Sequence, residues 1–162
     1  MNLYNIKLNS EQVSFQQAVK QGLGQNQGLF FPDTITPLTD VDALLKQDLV
    51  TRSSAILHHL IGDELSAEDV TDMVKKAFQF GAPIKQVSED IYALELFHGP
   101  TMAFKDVGAR FMSRCLGYFN RNDKTSKNTV LVATSGDTGG AVATGILNVE
   151  GVDVVILYPS GK

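Results

Sequence analysis

Two runs of residues in this sequence have the types and spacing to do chemistry. The first, His98-Gly99-Pro100-Thr101-Met102-Ala103-Phe104-Lys105-Asp106, places a lysine just beyond a Gly-Pro turn. The second, Ala133-Thr134-Ser135-Gly136-Asp137-Thr138-Gly139-Gly140, places hydroxyls and glycines between an apolar run and a helical pattern. Lys105 falls where the turn gives way to a helix, next to Ala103 and Phe104. The positive end of a helix dipole and apolar neighbours both disfavour an ammonium, and a neutral amine is the nucleophile that imine chemistry requires. On the local sequence alone, an ordinary surface lysine is the simpler account.

The loop over 134–140 opens a helix, where backbone N–H groups lack partners and attract anions. Thr134, Ser135 and Thr138 add hydroxyl donors, and the glycines permit close approach to the backbone. A carboxylate or a phosphate suits such a cradle. A plain turn in which Ser135 or Asp137 merely caps the helix accounts for the same residues equally well. Asp137 complicates the anion reading, since its carboxylate must point aside, pair with a cation or meet a cofactor proton. No lysine directly follows the glycines, so this is not a nucleoside-triphosphate loop.

These elements must be held by a fold of modest size. With 162 residues, 43% of them hydrophobic, the chain can bury one substantial core but not two large domains. A net charge of -4 leaves no basic excess for nucleic-acid phosphates, so no nucleic-acid partner is expected. The start, Met1-Asn2-Leu3-Tyr4-Asn5, has no signal-peptide pattern, and no apolar run is long enough for a membrane span, so a cytoplasmic protein is expected. Cys115 lies in an apolar helical pattern and reads as a buried, inert thiol. His58 and His59, about 100° apart on a helix, do not make a metal pair, and no metal site is expected.

Along the chain, an extended start over 3–8 leads to a helix capped by Ser14, with Gln17 placed to reach back and Gly22 as its stop. Phe30 and Phe31, before Pro32, read as buried. Helical patterns follow around Val41–Leu45, around Ala55 to Ile61 with a stop at Gly62, and from Ser66 to Phe78. Gly81-Ala82-Pro83 reads as a linker, dividing a mostly helical region over 1–82 from an α/β region over 83–162. In the second region, strands are expected over 84–87 and, with alternating faces, over 91–97. A helix should run from Phe104 or Lys105 to about Asn120, then an exposed polar loop over 121–128. Buried strands over 129–133 and 152–158 flank a helix over 139–147, the strand-helix-strand order of a doubly wound parallel sheet. A sheet ending after that strand is incomplete, which suggests the front part of a longer protein.

The run from His98 to Asp106 resembles the segment of the threonine synthase family that carries its pyridoxal-phosphate lysine. Residues 133–141 resemble that family's substrate loop, and Met1-Asn2-Leu3-Tyr4-Asn5 and Gly28-Leu29-Phe30-Phe31-Pro32 resemble its N-terminus. The resemblance implies a tryptophan-synthase-like fold and the conversion of O-phospho-L-homoserine and water into L-threonine and phosphate. It implies that Lys105 carries pyridoxal 5'-phosphate as an internal aldimine and shuttles protons at Cα and Cβ. Thr134, Ser135 and Thr138 match positions that bind the α-carboxylate, and Asp137, an asparagine in several relatives, would lie near the cofactor ring. Arg110, about a turn along the helix from Asp106, is a weaker candidate for contacting phosphate or pairing with Asp106. The family's cofactor-phosphate loop and the partner of its pyridine nitrogen come from later sequence, so this stretch alone should be inactive. Oligomeric state is not legible. Two alternatives stand beside this reading: another pyridoxal-phosphate lyase or dehydratase, and a non-enzymatic anion-binding module in which Lys105 is incidental. A purely structural domain is a blander third.

Overall fold

The computed structural model describes residues 1–121, 127–134 and 136–161, in two compact units, Met1–Val74 and Lys75–Lys162. In the first unit, β1 (Asn2–Asn5), β2 (Leu8–Ser14) and β3 (Phe30–Pro32) form an antiparallel sheet in the order β2-β1-β3. The expected extended stretch over 3–8 is therefore the end of β1, the turn at Ile6 and Lys7, and the start of β2. The β2 sequence LNSEQVS carries too few apolar residues to show an alternation, and its register comes from pairing, with Leu3 opposite Val13 and Tyr4 opposite Gln12. Asn5, fully buried, secures the turn: its Oδ1 accepts the Lys7 N–H at 2.8 Å and its amide donates to the Gln25 carbonyl at 2.8 Å.

Helix α1 (Phe15–Gln21) begins as its sequence dictates. Ser14 Oγ accepts the Gln17 N–H at 3.1 Å while Gln17 Oε1 accepts the Ser14 N–H at 2.9 Å, and Gly22, at φ 76°, ends the helix. The Glu64 carboxylate adds two bonds from a distance, accepting the Phe15 N–H at 2.9 Å and the Gln16 N–H at 3.1 Å. Burial pushes this carboxyl group upward, but those backbone donors, with the Met1 ammonium, outweigh it and hold its pKa below the ordinary value.

Helices α2 (Val41–Leu45), α3 (Leu49–Ile61) and α4 (Ala67–Ala77) follow the helical patterns. Asp48 extends α3 beyond the expected start by accepting the N–H groups of Val50 and Thr51 at 2.9 and 3.1 Å. Leu3, Ile61, Leu65, Val70, Met73 and Val74 are the buried apolar residues of this unit. The expectation that both phenylalanines are buried is corrected: Phe30 is only half-buried, and Phe31, on the opposite face of the strand, is 51% exposed. His59 Nε2 lies 2.9 Å from the Thr36 carbonyl oxygen, and no metal-holding group of side chains occurs among the described residues.

The boundary between the units falls within α4, ahead of the Gly81-Ala82-Pro83 turn. In the second unit, β4 (Ile84–Ser88) and β5 (Ile91–Leu94) form an antiparallel hairpin. The alternation expected over 91–97 is not realised. The strand ends at Leu94, and Ile84, Val87, Ile91, Tyr92 and Leu94 are all exposed, since among the described residues no further layer covers either face.

Helix α5 (Lys105–Arg121) starts at Lys105 as expected. Its buried face is less apolar than its pattern, holding Asp106, Ser113 and Asn120 beside Ala109, Cys115, Leu116 and Phe119. Each polar member has a bond: Asn120 donates to the Gly151 carbonyl at 3.0 Å, and Ser113 to the Gly145 carbonyl at 2.7 Å. Burial pushes the Cys115 thiol up to about 12, in keeping with an inert side chain. The polar loop expected over 121–128 lies outside the described residues except for Arg121, Lys127 and Asn128.

Strands β6 (Asn128–Ala133) and β7 (Val152–Leu157) pair in parallel through α6 (Asp137–Ile146), from Asn128 opposite Val152 to Ala133 opposite Leu157. The α/β class and the parallel sheet are thus present. Burial on both faces is not: Leu131 is 65% and Leu157 52% exposed, because α5 and α6 cover one face and no described element covers the other. No helix among the described residues is long and apolar enough to cross a membrane.

Candidate active site

The approach to Lys105 is a tight turn fixed by its own side chains. His98 Nε2 stands 2.8 Å from Glu95 Oε2, ahead of the turn. The Gly99 carbonyl accepts the Met102 N–H at 3.1 Å, and the Ala103 carbonyl accepts the Asp106 N–H at 3.0 Å. Asp106 is wholly buried, and its two carboxylate oxygens accept both donors of Thr101, the N–H at 2.9 Å and the hydroxyl at 2.7 Å. Gly99 is obligatory there, since a Cβ would stand 2.8 Å from Asp106 Cβ. Lys105 then opens α5, with Nζ 5.5 Å from the Phe104 ring centroid, within cation–π range.

The second component lies at the end of β6. Thr134 stays in the ladder by donating its N–H to the Leu157 carbonyl at 2.9 Å. Its Oγ1 accepts the N–H groups of Gly136 at 3.1 Å and Gly139 at 3.3 Å, which fills the oxygen's acceptor capacity and leaves the hydroxyl hydrogen to donate. Helix α6 begins without a side-chain cap at Gly136. The N–H groups of Asp137 and Thr138, its first two residues, have no intrahelical acceptor, as at any helix start. Gly139 brings this helix close to the sheet, where a Cβ would lie 3.1 Å from Ile156 Cγ2.

A cavity of about 210 Å³ joins the two components, lined by Lys105, Thr134, Gly136, Asp137 and Thr138. Of the candidate residues, Lys105, Thr134, Asp137 and Thr138 therefore converge, while Ser135 lies outside the described residues. Arg110 does not join them. Its guanidinium donates to the carbonyls of Ala77 at 2.7 Å and Lys76 at 2.9 Å and to Gln79 Oε1 at 2.8 Å, and it makes no pair with Asp106, whose oxygens are taken by Thr101. Asp137 is exposed and forms no ion pair with Lys105. An amine facing hydroxyls and a helix N-terminus can hold a carbonyl compound that also bears a carboxylate. The sequence reading missed the role of Asp106 in the turn; the signal available was an acidic residue directly after the lysine, five positions from a threonine.

Residues 5–78 match the family described as threonine synthase N terminus. Over all 162 residues the chain is 56% identical to threonine synthase of Haemophilus influenzae, covering 37% of that protein's length. Its fold superposes on the crystal structure of threonine synthase from Escherichia coli with a TM-score of 0.91 at 53% identity, covering 100% of this chain and 38% of that one. Sequence and fold are similar to those of the N-terminal part of threonine synthases. A pyridoxal-phosphate-bound threonine synthase from Brucella melitensis is similar too, with a TM-score of 0.90 at 32% identity over 99% of this chain and 36% of that one. The chain spans a little over a third of the length of these threonine synthases. The matches over the whole of this chain, unlike the one over residues 5–78, also take in the Lys105 turn and the loop over 134–140.

Proposed function

We propose that the protein to which this chain belongs is a pyridoxal-phosphate-dependent threonine synthase, a lyase acting on O-phospho-L-homoserine to give L-threonine and phosphate with water as co-substrate. The observation that carries this reading is the single cavity shared by Lys105 and the start of α6. The residues present fit the cofactor: one amine, at a helix start beside an aromatic ring, faces a polar cavity lined by hydroxyl and backbone groups. When bound, pyridoxal phosphate supplies an electron sink for bond cleavage at the substrate's Cα and Cβ.

In this reading Lys105 holds the cofactor through its amine and moves protons at Cα and Cβ of the substrate. Thr134 donates its remaining hydroxyl hydrogen to the substrate's α-carboxylate, with Thr138, Ser135 and the α6 N-terminus as further donors. Asp137, which lines the same cavity, would lie near the cofactor ring. Arg110, committed to carbonyls, takes no part. Later sequence supplies the cofactor's phosphate loop and the partner of its ring nitrogen, so residues 1–162 alone do not turn over substrate.

The test uses full-length protein with added pyridoxal phosphate. Borohydride should trap the cofactor on Lys105, Lys105→Ala should abolish the adduct, and phosphate should appear in step with threonine from O-phospho-L-homoserine. An adduct that survives Lys105→Ala, or preference for a non-phosphorylated amino acid, overturns the proposal.

A further inference from the structure

We infer that Asp106 is a positioning residue for Lys105, a role resting on the cofactor-lysine reading above and distinct from it. The lysine's approach contains a costly conformation: Met102, a non-glycine residue, has φ 58°, in the left-handed region that side chains rarely adopt. Met102 is 75% exposed, so no packing of its side chain compensates. What holds the turn closed is the wholly buried carboxylate of Asp106, which takes both donors of Thr101, the residue just before Met102. Asp106 is itself in the first turn of α5, next to Lys105, so one side chain ties the strained turn to the helix that carries the amine. Gly99 completes the clamp by leaving room for that carboxylate.

Neither oxygen of Asp106 faces the cavity lined by Lys105 and Thr134, which separates this role from acid-base chemistry. Its action is geometric: it fixes the origin and direction of the Lys105 side chain. A misplacement of about 1 Å is enough to lower a rate by about a hundredfold.

Two properties of the clamp make it testable. Asparagine can replace the carboxylate in shape, its oxygen accepting the Thr101 N–H and its amide donating to Thr101 Oγ1, whereas alanine removes both bonds. Replacing Met102 by glycine removes the backbone cost that the clamp holds down.

The experiment compares full-length variants by kcat, KM for O-phospho-L-homoserine, the visible absorption of bound pyridoxal phosphate, and the rate of borohydride trapping on Lys105. Asp106→Ala should lower kcat and the trapping rate by about 10- to 100-fold with KM little changed, and Asp106→Asn should restore most of both. The loss caused by Asp106→Ala should be smaller when Met102→Gly is also present, a coupling expected only if the two residues share the turn. Ser113→Ala, which breaks a buried bond elsewhere on α5, should lower thermal stability while leaving kcat and trapping at parental values. If Asp106→Ala does not fold, Thr101→Val decides, with an expected fall of several-fold in trapping rate from loss of one of the two bonds. The inference is overturned by parental trapping in Asp106→Ala or Thr101→Val, by Asp106→Asn failing as badly as alanine, or by an equal loss in Ser113→Ala. Failure of the cofactor reading looks different: the parent protein then forms no adduct on Lys105 at all.

Discussion

At the residue scale, the two threonines that line the cavity have unequal commitments. Thr134 Oγ1 accepts the N–H groups of Gly136 and Gly139, so its hydroxyl holds the loop as well as facing the cavity. Replacing it would leave two backbone donors without their acceptor, and a change in activity would mix folding with binding. Thr138 lines the same cavity, and no bond from its hydroxyl occurs among the described residues. It is therefore the cleaner probe of substrate binding. Thr138→Val keeps the shape and removes one donor; a hydrogen bond to a carboxylate is worth about 1.5–3 kcal/mol, so KM for O-phospho-L-homoserine should rise about tenfold or more. With kcat within about twofold of the parent, the lost bond is one made equally in ground and transition states. Steady-state kinetics on the full-length protein decide it, and an unchanged KM removes Thr138 from the substrate site.

At the element scale, α1 has a local cap and a distant one. Ser14 and Gln17 are three residues apart, and their reciprocal bonds were legible in the sequence because both partners lie within one helical turn. Glu64 caps the same helix start from 48 and 49 residues away, and no local pattern announces it. The same division separates the rest of the molecule. The start of α5 at Lys105 and the strand-helix-strand order were legible, because turn residues and apolar runs are local signals, whereas the placing of Lys105 in one cavity with Thr134, Asp137 and Thr138 was anticipated only through the family resemblance. The β1–β2 pairing and the diversion of Arg110 to the carbonyls of Lys76 and Ala77 were not, because each depends on a partner that only folding brings near, while the bond from Thr101 to Asp106, five positions on, was a local signal that went unread. The distant cap also has a pH signature. The folded-state pKa of Glu64 lies below its ordinary value of 4.5, so the folded chain binds fewer protons there than the unfolded one. Its stabilisation is present in full above the unfolded value and is lost as pH falls through the folded value. Glu64→Gln should therefore lower the unfolding free energy from denaturant titration at neutral pH by about 1 kcal/mol for a lost helix cap, and the gap from the parent should close in acid. A gap of constant size from neutral pH into acid contradicts this account of α1.

For the whole molecule, the surfaces left bare and the chemistry left out point the same way. The outer face of β6 and β7 exposes Leu131, Val155 and Leu157, the β4–β5 hairpin exposes Ile84, Val87 and Ile91, and matched threonine synthases are more than twice as long as this chain. Lys105 and the proposed carboxylate cradle are in this chain, whereas in the proposed enzyme the groups that grip the cofactor's phosphate and ring nitrogen lie in later sequence. Held through Lys105 alone, the cofactor would lack the preorganised donors that make such sites catalytic. Residues 1–162 expressed alone should therefore fold into their two units, bind a hydrophobic dye through the bare strands, and form no threonine above background from O-phospho-L-homoserine. The full-length protein, assayed at the same concentration with the same cofactor, should form it readily. Far-ultraviolet circular dichroism confirms that the shorter chain is folded, so that lost activity is not lost structure. Threonine and phosphate released in equal amounts by residues 1–162 would place the whole catalytic apparatus within this chain and overturn the division drawn here.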